Sequence, residues 1–323
     1  MNEQDLGRSE GLRRRDLLRG AAALVTAAAT TSSMTAAAQA DDARWFPGFR
    51  AEAVNTGDVK IHTVIGGSGP PVLLLHGAPQ SHVAWSRVAT ELARDYTVVA
   101  ADLRGYGDSS KPPGGGDHAA YSKRTMAADQ VAVMRHFGFE RFAVVGHDRG
   151  GRVAHRLALD HPERVTRAAV LDIVPTRYLY THVTREFAEA YYHWFFFTRP
   201  EPLPETAISN SLESFVGRGE SELGAEYLRT FRIPGTVHAM CEDYRAAASI
   251  DLAHDAADLD RRIACPLLVL WGADGAMARL YDVLATWRER TTDIAGKRMP
   301  GGHSFHETHP QETLTELRAF LRA

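Results

Sequence analysis

The sequence predicts an α/β protein: a mostly parallel, doubly wound sheet into which a helical cap is inserted. Three observations predict it. Short aliphatic runs alternate with stretches of helical period, the runs are apolar at every position, and one aromatic-rich interval, 173–255, breaks the rhythm. Runs apolar throughout suit strands covered on both faces, which helices flanking a parallel sheet provide. At 323 residues, 44% hydrophobic and 24% charged, the chain is long enough for a large core and too apolar to be disordered. A formal charge of −3, with no long like-charge run after the first twenty residues, excludes a nucleic-acid footprint and leaves a small molecule as the expected partner.

Residues 1–40 carry Arg13-Arg14-Arg15-Asp16-Leu17-Leu18-Arg19, then an Ala-rich apolar stretch ending in Ala38-Gln39-Ala40. This is the layout of an export signal with a small-residue cleavage site, and the arginine pair before Asp-Leu-Leu resembles a twin-arginine signal, which exports folded proteins. Thr26, Thr30, Thr31, Ser32, Ser33 and Thr35 dilute the stretch below a span of about 20 apolar residues. No stable membrane span is therefore expected after cleavage, and the expected location is the periplasm. The mature chain then has 32 basic and 36 acidic side chains, a net charge of −4.

The first part of the core, 41–172, holds strands expected at 72–75, 96–100, 142–145 and 168–173 and helices at 127–137 and 152–159. The cap, 173–255, is rich in aromatics and helix formers around a turn at Arg199-Pro200-Glu201-Pro202-Leu203-Pro204. Alternation resumes at Cys265-Pro266 in the second part, 256–323, with a strand at 267–271 and a final helix at 311–321. Cys241 and Cys265 are either two buried thiols or one disulfide formed in an oxidising compartment. No Cys/His spacing indicates a metal, and no cofactor is expected.

Candidate chemistry sits between these elements. Phe142-Ala143-Val144-Val145-Gly146-His147-Asp148-Arg149-Gly150-Gly151 is a strand, a Gly-x-Asp-x-Gly turn and a helix, the context of the nucleophile elbow of the α/β-hydrolase fold. The glycines are expected to let the chain turn sharply with positive φ. The side chain at the tip is a carboxylate, Asp148, which attacks saturated carbon and is left as an alkyl ester. The alternative is a strand-helix turn with an N-capping Asp. His303, in Pro300-Gly301-Gly302-His303, is the expected base; His306 and His309 lack the Gly-Gly lead and read as surface residues. The acid that orients His303 is Asp172 or Asp274, with Asp172 preferred. His76-Gly77-Ala78-Pro79 follows the first strong strand as an oxyanion loop does, which assigns the backbone N–H groups of Ala78 and Arg149 to the oxyanion. Asp108 is read as structural, tying the loop after the second strand.

Arg149 and Arg152 lie three apart at a helix start, where the macrodipole disfavours cations. Stability does not ask for them there. Their guanidinium forks match a carboxylate, so they point to a small anionic organic substrate; the alternative is pairing with a local acid such as Asp160.

At this point the chain resembles the fluoroacetate (haloacetate) dehalogenases of the α/β-hydrolase superfamily. The resemblance rests on His76-Gly77-Ala78-Pro79-Gln80, Asp102 to Ser109, Gly146 to Arg152, Leu171-Asp172-Ile173-Val174-Pro175-Thr176, Tyr192-His193-Trp194-Phe195-Phe196, Cys241-Glu242-Asp243-Tyr244-Arg245-Ala246 and Gly301-Gly302-His303. It implies Asp148 as nucleophile, Asp172 and His303 completing a triad, Arg149 and Arg152 on the substrate carboxylate, and His193, Trp194 and Tyr244 receiving the halide. Imidazole, indole and phenol are also the N–H and O–H donors that a departing anion requires in a dry pocket. The chain departs from the family in a shorter stretch between Trp194 and Tyr244, with no Trp in it, and in Ala78, where a bulkier residue is common. Either departure widens the pocket. The expected activity is hydrolysis of a short 2-haloacid to the 2-hydroxy acid. An epoxide hydrolase using Tyr191, Tyr192 or Tyr244 as acid is the alternative, and a non-catalytic exported carboxylate-binding protein is a third reading. The oligomeric state stays open, a homodimer being one option.

Overall fold

The computed structural model describes residues 42–322; the predicted signal, 1–40, lies outside them. Eight strands form a single sheet: β1 Arg50–Asn55, β2 Lys60–Gly66, β3 Pro71–Leu75, β4 Thr97–Ala101, β5 Phe142–His147, β6 Val165–Leu171, β7 Leu267–Gly272 and β8 Ile294–Met299. Their spatial order is β1-β2-β4-β3-β5-β6-β7-β8. β1 with β2 and β2 with β4 are antiparallel, and the other pairings are parallel. The fold is the predicted α/β-hydrolase arrangement.

Continuous apolar runs make the central strands because successive side chains enter different cores. Leu73 and Leu75 of β3 join the cluster under the helices Lys123–His136 and Asp148–Asp160, together with Met126, Val153 and Leu157. Val72 and Leu74 join the other, with Val88, Leu92, Leu314 and Leu317 from Ser86–Leu92 and Pro310–Arg322. Each such Val or Leu contributes about 1.5–3 kcal/mol of burial free energy. Helix Lys123–His136 begins four residues before its expected start because Ser122 caps it, accepting a hydrogen bond from the Thr125 N–H.

Between β6 and β7 run eight helices, from Thr176–Thr181 to Ile250–Ala257. Phe187, Trp194, Phe197 and Tyr244 of this insertion belong to the same core cluster as Leu73 and Val144, so it is packed down on the sheet. Cys241 and Cys265 are both free, buried thiols, so the disulfide alternative is not the one adopted. Among the described residues no helix is long and apolar enough to cross a membrane.

The register aligns the strand ends. Leu75 pairs with Gly146, His147 with Leu171, Leu171 with Leu270, and Gly272 with Met299. The residues that follow these strands (76–79, Asp148, Asp172, 273–274 and 300–303) consequently share one edge of the sheet, the usual place for a site in an open α/β fold.

Candidate active site

β5 passes into the helix Asp148–Asp160 without a loop. The positive φ falls on Asp148 itself, at +45°, and not on the flanking glycines, which corrects the expectation above. Gly146 and Gly150 serve close approach instead: a Cβ on Gly146 would lie 2.3 Å from the Gly150 carbonyl oxygen, and one on Gly150 2.5 Å from that of His76. Holding a non-glycine residue in the left-handed region costs about 1–3 kcal/mol. The N-cap of the helix is His147, with no side-chain cap bond, so the Asp148 carboxylate is not spent on capping.

Asp148 Oδ1 accepts a hydrogen bond from the Ala78 N–H at 3.0 Å, and Oδ2 faces His303 Nε2 at 3.9 Å. On its other side His303 Nδ1 lies 2.6 Å from Asp172 Oδ2. Asp172, at φ +52°, is fixed in turn by the Gly272 N–H on Oδ1 at 2.9 Å. Of the two acids considered, the one that meets His303 is Asp172; Asp274 bonds through its backbone N–H to the Gly301 carbonyl and lines the cavity. The Arg149 N–H belongs to the first helical turn, which has no intrahelical acceptor.

His306 is not a surface residue. It is fully buried, its ring 4.2 Å from that of His147 and 4.7 Å from that of Trp85, and burial holds its pKa well below the ordinary value. The short helix Phe305–Thr308, which directly follows the His303 loop, carries it inward.

Burial alone would raise the Asp148 pKa, but the charges of His303, His147, Arg149 and Arg152 outweigh it and hold the carboxyl at about 2. For His303, burial disfavours the charged ring, yet the Asp172 hydrogen bond and the charges of Asp172 and Asp148 prevail and raise its pKa. Burial lowers His193 to about 4, leaving it neutral.

Arg149 is fully buried and makes a fork on a cap residue: Nε donates to Asp243 Oδ2 and Nη2 to Asp243 Oδ1, both at 2.7 Å. Asp243 also accepts from Lys123 Nζ and Tyr106 Oη. Arg149 Nη1 is buried without a hydrogen bond. Arg152 donates from Nη1 to the Val174 carbonyl and Thr176 Oγ1, leaves Nε without a partner, and has no ion pair among the described residues. Burial and the neighbouring charge of Arg149 depress its pKa to about 10. The alternative partner Asp160 is taken by Arg124, Arg156 and Arg261.

A cavity of about 540 Å³ opens over Asp148 and His303, walled by Ala78, Tyr191, Tyr192, His193, Phe197, Met240 and Tyr244. Trp194, Arg149 and Arg152 are not on this wall. They pack beneath it, the Arg149 guanidinium 4.2 Å from the Tyr244 ring centre and that of Arg152 4.5 Å from Trp194. Sequence reasoning missed two residues that organise the site. Asp243 anchors Arg149 from the cap. Gln80 accepts the Gly77 N–H and contacts His147 Nδ1, each at 2.9 Å, while His147 Nε2 lies 2.9 Å from the His303 carbonyl oxygen. A polar residue directly after His-Gly-x-Pro was the available signal for Gln80.

The α/β hydrolase fold family matches residues 70–310, and together with the sheet and the elbow this defines the chain as an α/β hydrolase. It is 48% identical over 288 residues to a Burkholderia fluoroacetate dehalogenase, covering 85% of this chain and 95% of the relative. The chain belongs to the haloacetate dehalogenase family and is a hydrolase of that type. A soluble epoxide hydrolase of Corynebacterium sp. strain C12 is more distant, 32% identical with 81% and 93% covered. Among solved structures, an α/β hydrolase from Nostoc sp. PCC 7120 superposes with a TM-score of 0.81 at 52% identity, covering 84% of this chain and 98% of that one.

Proposed function

We propose that the protein hydrolyses a short 2-haloacid such as haloacetate to the 2-hydroxy acid. Residues 41–172 and 256–323 supply the catalytic core in this reading, and 173–255 the cap. Asp148 Oδ2 displaces halide from the α-carbon, forming an ester at Asp148 Cγ. Water, losing a proton to His303 Nε2, then attacks that Cγ, and the charge developing on Oδ1 is met by the N–H groups of Ala78 and Arg149. The intermediate collapses by breaking the Cγ–Oδ2 bond: Oδ2 leaves as the hydroxyl oxygen of the 2-hydroxy acid, protonated by His303, and the water oxygen completes the restored Asp148 carboxylate, so the steps balance without a cofactor. Asp172 orients His303, and His193 and Tyr244 on the cavity wall receive the departing halide, with Trp194 packed behind them as the third donor. The observation that carries the reading is Arg152: a buried arginine with no ion pair among the described residues, packed beneath the cavity on the helix that begins at Asp148. A carboxylate supplies the missing charge.

Halide release from fluoro-, chloro- and bromoacetate tests the proposal, with Arg152→Met lowering kcat/KM about 10–100-fold, the worth of a charge-assisted hydrogen bond. Tyr191 and Tyr244 on the cavity wall favour the second reading, epoxide hydrolysis. Turnover of a neutral epoxide with no halide release from any haloacid would establish that reading instead.

The pH profile has a definite sign. Asp148 stays ionised above about 2, so the displacement step is expected to persist in mild acid. His303 must be neutral to take the water's proton, and its raised pKa means that ester hydrolysis fails as pH falls through that value. Steady-state turnover should therefore drop on the acid side while a stoichiometric burst of halide release remains. Equal loss of burst and steady state would contradict this assignment.

Export belongs to the same proposal, resting on Arg14-Arg15-Asp16-Leu17-Leu18. Replacing Arg14 and Arg15 with Lys should shift the protein from the periplasmic to the cytoplasmic fraction, with the precursor uncleaved.

A further inference from the structure

Away from the cavity walls, Asp42, His62 and His82 meet from three parts of the chain: the first described helical turn, β2, and the 3-10 turn His82–Trp85 that follows the Ala78 loop. All three are buried, at 6%, 7% and 1% exposure. Their ligating atoms lie within 4.8 Å of one another. His62 Nε2 is 3.0 Å from Asp42 Oδ2, an ion-pair contact between two buried groups. Two ligands each about 2.0–2.1 Å from a tetrahedral zinc ion are themselves about 3.3 Å apart. The spacing of these atoms is close to that of two ligands on one ion.

The third ligand is backed as metal-bound imidazoles are. His82 Nε2 is 2.9 Å from Asp42 Oδ1, and its Nδ1 is 3.0 Å from Asp102 Oδ1. A carboxylate on Nδ1 keeps that ring's proton there and presents Nε2 as the donor atom. Asp102 is itself held by the backbone N–H groups of His82 and Asp108. Without a metal, the His82 ring joins Asp42 and Asp102 through its two nitrogens, and His62 stays on the other oxygen of Asp42.

We propose that Asp42, His62 and His82 bind a divalent transition-metal ion, zinc being the best match to two imidazoles and one carboxylate. The ion displaces the Nε2 proton of His82 and clamps the N-terminal segment to β2. Cleavage after Ala40 would make Asp42 the second residue of the mature chain. The same clamp steadies the Ala78 loop, since His82 follows it and the His76 ring, within it, accepts the Leu103 N–H beside Asp102.

The purified protein, stripped with EDTA and then exposed to zinc chloride and passed through gel filtration, should retain one zinc per chain by plasma mass spectrometry. Its Tm should rise by about 5 °C or more at saturating zinc. Asp42→Asn and His62→Phe, the latter keeping an apolar ring in the buried position, should lose both responses while remaining folded by circular dichroism. Wild type that retains no zinc overturns the proposal, as does zinc retained equally by the variants. Variants that are less stable by the same amount with and without zinc, beside a wild type indifferent to it, reduce the cluster to a proton-held ion-pair network.

Discussion

Replacing His303 with Asn is expected to leave a protein that reacts with haloacetate once and stops. Asp148 keeps its ionised carboxylate and the Ala78 hydrogen bond on Oδ1, so displacement proceeds. The water that must attack Cγ has lost its base, which lowers turnover by about 10²–10⁴-fold. Asp172 retains the Gly272 N–H on Oδ1 and is not left wholly unpaired. Intact-protein mass spectrometry should then show one added carboxymethyl group, and peptide mapping should place it on Asp148. Asp148→Asn in the same background should show none. An unmodified Asp148 peptide in the His303→Asn protein, beside halide release by wild type, would sink the displacement mechanism.

Arg149→Leu is expected to produce the largest loss of stability of any substitution near the site. Its guanidinium forks onto Asp243, both side chains fully out of solvent. Removing one partner of such a pair costs about 3–5 kcal/mol, because the other is left charged in the interior. Lys123 and the Tyr106 hydroxyl remain on Asp243 and set the effect toward the lower end. A Tm decrease of about 10 °C follows for a domain this large, with partial recovery in Arg149→Leu/Asp243→Asn. Arg152→Met should contrast with this, since Arg152 has no ion pair among the described residues, losing turnover far more than stability. Equal destabilisation by the two substitutions would show that Arg152 is held by the fold and not kept for a ligand.

The pair also marks where local pattern stops informing. Five strands were legible because Val72 to Leu75, Val98 to Ala100 and their counterparts are apolar on both faces. β1 and β2 form an antiparallel margin, and β8 is an edge strand with four exposed residues in a row, so none of them shows a continuous apolar run. His306 was misread because its burial depends on Trp85 and His147 arriving from distant segments.

By itself the sequence determined the β-α alternation, the presence of a helical insertion and the identity of the side chain at the elbow tip, each a matter of residue type and short-range period. Tertiary structure alone decided which acid faces His303, because Asp172 reaches it across 131 positions of chain through the parallel alignment of β6, β7 and β8. It also decided that Arg149 is tied to Asp243, 94 residues away in the cap, and that Arg152 has no ion pair among the described residues. Pairings of that span are set by strand register and cap docking, which no local window of sequence encodes.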